Sequence, residues 1–357
     1  MKLSRRDFIK FSGLALGVLA LPSWPKNMLQ SETPFPVAGR LGRICQGNEG
    51  ARFDLKAEPN VNAANVGIVW RDEVVVWQRE VVSNPLNFNE YNQKWVQTPT
   101  GFIQTKFVQP VKNLPNQLLS ELPMNQDGTR GMWVEVTVPL VDVKPAVPPI
   151  SYWIREVLKP RIYYSQVFWA FDLRQVNGTL EYRLMQKYGA LPDNFWVDAT
   201  ACRPITSEEV SPIHPDATDK HITVDLNYQT LSCWEGEREV YFCEVATGGI
   251  IDGKWVTPVG KHTIWRKILS THMSAGGLWS FDAPGIAWTT LFDPNGAAIH
   301  ATYWHNNFGT ALSHGCVNCL PEDAKWIWRW TQPDVDYIPG ELTVQGDSRS
   351  TKVEVFA

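Results

Sequence analysis

Along most of the chain, apolar and polar residues alternate with a period of two, in short runs broken by Asn, Gly and Pro. This is the pattern of half-buried β-strands. It predicts strands over 52–59, 66–69, 73–77, 94–97 and 101–103, and the alternation with close turns argues for a small barrel. A second set is predicted over 132–138, 163–173 and 179–184, the last two joined at Asn177-Gly178, a dipeptide suited to a two-residue hairpin turn. A third begins at His221-Ile222-Thr223-Val224-Asp225-Leu226, with a hairpin around 235–238. The one clear helix signal is Pro321-Glu322-Asp323-Ala324-Lys325-Trp326, with proline and acids in its first turn. The fold class is therefore mainly β and multidomain. The boundaries are 1–30 for a leader and linker, 39–113 for the first module, 114–217 for a β-rich or α+β unit, and 218–357 for the C-terminal domain.

Composition narrows the picture. A chain of 357 residues that is 44% hydrophobic and 20% charged is globular, and a formal net charge of −4 excludes a generally basic nucleic-acid binder. The seven histidines and six cysteines form no zinc-ligand spacing, and Thr247-Gly248-Gly249 is too short for a phosphate loop. No cofactor and no metal are expected. The 17 tryptophans are expected mainly in cores; Trp288 and Trp304 flank the candidate chemistry and are the better substrate contacts. Residues 114–217 suggest no function of their own.

The chemistry lies in Ser313-His314-Gly315-Cys316-Val317-Asn318, with His300 upstream in Ala298-Ile299-His300-Ala301-Thr302. A thiol is a weak nucleophile at its free pKa of about 8.5 and gains from a neighbouring imidazole. Gly315 lets backbone approach closely just before it, where N–H groups can stabilise an oxyanion. His305 sits in a polar stretch that reads as solvated or as a substrate edge. His262 and His272 read as structural. The Cys316–Cys319 spacing also invites a redox reading, although no βαβ alternation surrounds it; Cys319 could also trap Cys316 as a disulfide. Cys233 and Cys243, either side of the 235–238 turn, are not expected opposite each other.

These residues resemble the signature of the L,D-transpeptidases, cysteine enzymes with a YkuD-like catalytic domain that remodel peptidoglycan. His221–Leu226, Gln229-Thr230-Leu231, Ala246-Thr247-Gly248-Gly249 and Thr257-Pro258-Val259-Gly260 resemble further landmarks of that domain, in the same order. The resemblance implies Cys316 as nucleophile and His300 as general base. The carbonyl of Ala301 would orient the imidazole, at a position where the family often has Gly or Ser. His314 and Gly315 would belong to the oxyanion and positioning shell. Ser313, Asn318 and Trp304 would stand at the substrate, Asn318 where many relatives carry Arg. It further implies peptidoglycan stem peptides as substrates, acyl transfer from a tetrapeptide stem to an amine, and a β-rich catalytic fold. L,D-carboxypeptidase activity would use the same acyl-enzyme. A wall-binding scaffold and a thiol–disulfide oxidoreductase are alternatives of other classes.

The first module resembles a bacterial SH3-like domain, with Gly101-Phe102-Ile103 in place of the usual Gly-Trp-Val. At the start, Ser4-Arg5-Arg6-Asp7-Phe8-Ile9-Lys10 resembles the twin-arginine export motif. It is followed by an apolar stretch over 11–21, too short for an ordinary membrane span. This implies export by the twin-arginine machinery to the periplasm or cell wall, with membrane contact only through the signal region. Loss of that region makes the mature chain more acidic by about three charges.

Overall fold

The computed structural model describes residues 35–189, 193–276, 281–346 and 349–357. The twin-arginine-like segment lies outside them. Strands dominate, and they bury three clusters of apolar side chains.

The first module has eight strands in two sheets. One orders Val74–Val76, Leu41–Ile44 and Val108–Val111; the other orders Asn65–Trp70, Arg52–Lys56, Phe102–Gln104, Lys94–Gln97 and Arg79–Val82. Ile44 and Val108 from the first sheet meet Leu55, Val69, Val96 and Ile103 from the second in one small core.

The middle unit is a six-stranded antiparallel sheet ordered Lys144–Pro145, Asn194–Asp198, Thr179–Met185, Val167–Val176, Met132–Val136 and Cys202–Pro204. Asn177 (φ 51°) and Gly178 (φ 83°) make the tight turn that pairs Val176 with Thr179, the left-handed conformation that Asn-Gly favours. Both faces of this sheet are covered. Val134, Phe168 and Leu184 fill the unit's own core, while Trp133, Val167 and Trp169 join the core of the C-terminal domain. Trp133 Nε1–H donates to the Tyr337 carbonyl at 3.0 Å, so the junction also satisfies its buried polar atom.

The C-terminal domain packs two five-stranded sheets and one helix. The first sheet orders Arg238–Glu244, Thr230–Glu235, Lys220–Asp225, Lys352–Phe356 and Gly260–Thr263; the second orders Val317–Cys319, Ala298–Ala301, Phe281–Leu291, Arg266–Ala275 and Glu341–Thr343. Helix Pro321–Trp330 carries Pro at its first turn beside Glu322 and Asp323, as the sequence predicts. Trp328 turns into the core against Trp288, with ring centroids 5.4 Å apart, while Trp326 stacks on Tyr241 at 4.1 Å. Trp288 is 1% exposed, which corrects its assignment as a substrate contact: it packs the helix onto the sheet.

Candidate active site

Two adjacent parallel strands bring the chemistry together. Ala298–Ala301 pairs with Val317–Cys319 in the register Ile299–Val317, His300–Asn318 and Ala301–Cys319, which sets Cys316 at the strand mouth, one position short of the ladder. His300, Cys316, His314, Ser313, Asn318 and Trp304 all line one cleft of about 1290 Å³. Ala301 is buried and enters through its backbone.

His300 is 2% exposed, and its Nδ1 lies 2.9 Å from the Ala301 carbonyl oxygen. A carbonyl only accepts, so Nδ1 carries the proton and Nε2 keeps its lone pair. Burial pushes the His300 pKa down to about 4, partly offset by that hydrogen bond, so the ring is neutral near pH 7. Burial likewise raises the Cys316 thiol above its ordinary value, with the Ala298 backbone N–H at the sulfur opposing. The resting pair is therefore thiol and neutral imidazole rather than a stable ion pair.

The turn before Cys316 is built by the earlier landmarks of the sequence. Gln229 Nε2 donates to Thr247 Oγ1 and Gln229 Oε1 accepts from Thr247 N–H, both at 2.7 Å. The Thr247 carbonyl then takes the N–H groups of Leu312 (2.7 Å) and Ser313 (2.9 Å). Gly248 N–H is held by Thr257 Oγ1 at 2.8 Å. Ser313 Oγ bonds the Cys316 carbonyl and accepts from Gly315 N–H at 3.1 Å, so this hydroxyl is committed to shaping the turn. Gly315 has φ +126°, a conformation that side-chain-bearing residues rarely adopt, and a Cβ there would stand 3.3 Å from the Val256 carbonyl oxygen.

His314 is exposed, its ring 5.4 Å from that of Phe281 across the cleft, and the Trp304 ring lies 5.9 Å from His300. His305 departs from the expectation of a solvated loop: it is 5% exposed, and burial pushes its pKa down to about 3. Its Nδ1 accepts from Asn307 N–H at 3.2 Å, so its Nε2 bears the proton and must face an acceptor. The Asn318 amide is 3.0 Å away, and an orientation with its oxygen toward His305 satisfies both groups. Cys319 is fully buried beside Cys243, its thiol donating to the Val317 carbonyl at 3.8 Å. Cys316 instead faces the cleft, 3.9 Å from the Gly296 carbonyl, which removes the geometric basis for a Cys316–Cys319 redox pair or trap. Cys233 pairs with Tyr241 across its hairpin, not with Cys243, as the turn predicted.

Sequence reasoning missed the cleft's other contributors: Phe281 and Tyr303 of the C-terminal domain, Tyr152, Lys159 and Arg161 of the middle unit, and Arg71 and Asp72 of the first module. Only the aromatic character of Tyr303-Trp304, close to His300 in the chain, was a local signal.

Comparison with known proteins bears on the C-terminal domain. Residues 219–355 match the family model for YkuD, the L,D-transpeptidase catalytic domain. No curated protein matches the chain. Among solved structures, a mutant of the Enterococcus faecium L,D-transpeptidase is 21% identical, covering 43% of this chain and 56% of that one, with a TM-score of 0.31. The catalytic domain of the E. faecium enzyme is 22% identical over 39% of this chain and 98% of its own, with a TM-score of 0.30. An L,D-transpeptidase from Mycobacterium smegmatis is 12% identical over 61% of this chain and 99% of its own, with a TM-score of 0.31. The chain spans a little over half the length of the first of these relatives. Residues 219–355 are a YkuD-family L,D-transpeptidase catalytic domain.

Proposed function

We propose that this chain is an exported peptidoglycan L,D-transpeptidase working through a cysteine acyl-enzyme. The observation that carries the reading is the tautomer of His300: Nδ1–H is tied to Ala301, and Nε2 is free as a base on the strand beside Cys316. With both groups uncharged at rest, His300 takes the thiol proton as sulfur attacks the carbonyl between the third and fourth residues of a donor tetrapeptide stem. The Gly315 N–H is already bonded to Ser313, so the oxyanion donor falls to the backbone N–H of Cys316. The terminal D-alanine leaves with the proton from His300, giving a thioester on Cys316. An amine of a second stem then forms the cross-link. Hydrolysis of the same thioester would make the enzyme a carboxypeptidase.

The twin-arginine-like segment accounts for export of a chain folded in the cytoplasm, to the periplasm or cell wall. The first module, with its SH3-like motifs, then acts as a fixed part of the enzyme, since Arg43 ties it to the Tyr303 carbonyl at 2.5 Å. The test is incubation with a disaccharide-tetrapeptide and a carbapenem. Wild type should gain the mass of each acyl group on Cys316, and Cys316→Ala should gain neither.

A further inference from the structure

The middle unit, to which the sequence assigns no role, contributes to the cleft at Cys316, and so does the first module. At about 1290 Å³ the cleft exceeds the roughly 300–1,000 Å³ of a pocket for one small ligand. The segment 150–161 is fixed in place. The Asp193 carboxylate accepts the N–H groups of Ile150 (2.8 Å) and Ser151 (2.6 Å), Asp282 accepts Trp153 N–H at 3.0 Å, and Arg161 reaches Asp72 at 3.1 Å. Asp282 stands on the Phe281–Leu291 strand, and its other oxygen is held by His272. The segment is thereby joined to the catalytic sheet and to the first module.

On this segment Tyr152 is 62% exposed. Lys159 is exposed and makes no ion pair among the described residues, whereas Arg155 is occupied by Glu156 at 2.6 Å. An aromatic face and an unpaired ammonium, held in a cleft too large for one ligand, suit a peptide that ends in a carboxylate.

We propose that residues 150–161 form the subsite for the second substrate, an amine-bearing peptide with a free carboxylate. Lys159 pairs with the carboxylate and Tyr152 packs along the peptide. The proposal rests on the acyl-enzyme reading above. In the step it serves, the amine nitrogen attacks the thioester carbonyl carbon, the C–N bond forms and the C–S bond breaks. The nitrogen gives up one proton to His300 Nε2, which returns it to the departing Cys316 thiolate.

The experiment uses the full-length mature protein, a tetrapeptide donor and rising concentrations of a tetrapeptide acceptor. Cross-linked product and tripeptide are both measured by mass spectrometry. Lys159→Glu should raise the acceptor KM about tenfold, as expected for reversing one charge-assisted contact, and shift product toward tripeptide at an acylation rate near that of wild type. Tyr152→Ala should move the partition the same way, and Lys159→Arg should restore it. Lys112→Glu, an exposed lysine outside the cleft, controls for net charge. An acceptor KM within twofold of wild type in both Lys159→Glu and Tyr152→Ala would overturn the proposal while leaving the acyl-enzyme intact. Absence of acyl-enzyme in the wild type would overturn the reading beneath it.

Discussion

Arg43 ties the first module to the C-terminal domain through the Tyr303 carbonyl, and its removal has a calculable cost. The guanidinium is 1% exposed. It donates through Nε (3.0 Å) and Nη2 (2.8 Å) to Gln109 Oε1, through Nη1 to Asp72 (3.0 Å) and through Nη2 to the Tyr303 carbonyl (2.5 Å). It also lies over the Tyr163 ring at 4.0 Å. Arg43→Met keeps most of the stem and deletes the donors. Asp72 retains Arg161 (3.1 Å) and the Tyr163 hydroxyl (3.3 Å), so it is not stranded. Gln109 Oε1 and the Tyr303 carbonyl, both buried, each lose their donor from Arg43, at about 1–3 kcal/mol apiece. Relief of guanidinium desolvation offsets part of this, leaving a net loss of about 3 kcal/mol. Guanidinium chloride unfolding followed by tryptophan fluorescence should show that loss with little change in slope, and Arg43→Lys should recover part of it. Because Tyr303 lines the cleft three residues from His300, carbapenem acylation should slow by about tenfold, the effect of a small misplacement near the base. A loss below about 0.5 kcal/mol with unchanged acylation would refute the view that the first module is part of the enzyme's framework.

The neutral base makes a pH prediction. With His300 held near 4, acylation should stay level from pH 7 to 5 and fall only toward pH 4; a limb at 6.5 would show an ordinary imidazole. The same shift bears on stability. The unfolded chain binds the His300 proton below about 6.5 and the folded chain only near 4, so stability is lost as the pH drops through that window, by about 3 kcal/mol for this group. His305, pushed to about 3, acts in the same direction, while Asp323, raised by burial to about 6, opposes them as it takes up its proton. His305→Gln should flatten the decline in a denaturant series between pH 7 and 5. Gly315→Ala, which forces a side chain to φ +126°, should cost about 1–3 kcal/mol and lower acylation at least 100-fold. Cys319→Ala should retain acyl transfer, since that thiol faces Cys243; its loss would revive a Cys316–Cys319 redox pair. Replacing Arg5 and Arg6 by Lys should keep the protein in the cytoplasm in a fractionation assay, and undiminished export would contradict the twin-arginine reading.

What could be read from the sequence was local. Alternation located many of the strands but not Leu41–Ile44, Arg79–Val82 or Val108–Val111, Asn177-Gly178 marked a hairpin, and Pro321 with its acids marked the helix Pro321–Trp330. The Ser313–Asn318 run and His300, both singled out in the sequence, meet in one cleft on neighbouring parallel strands. What escaped was set by contacts distant in sequence. Arg43 and Tyr303 are 260 positions apart, and nothing near either announces the other. His305 looked solvated because its neighbours are polar, yet Asn318 and burial enclose it. Trp288 looked like a substrate contact from its place in the chain, but its strand turns it toward the helix. The segment 150–161 carried no motif, and its place in the cleft depends on Asp193 and Asp282 taking its backbone N–H groups.

The central claim is that Cys316, served by His300, forms an acyl-enzyme from a peptidoglycan stem and passes it to an amine. The most direct test is mass spectrometry of the mature protein incubated with disaccharide-tetrapeptide, beside Cys316→Ala and His300→Gln. The account predicts a cross-linked dimer with loss of D-alanine in the wild type and none in either variant. A wild type that leaves the substrate unchanged, or a Cys316→Ala protein that still forms dimer, would contradict it.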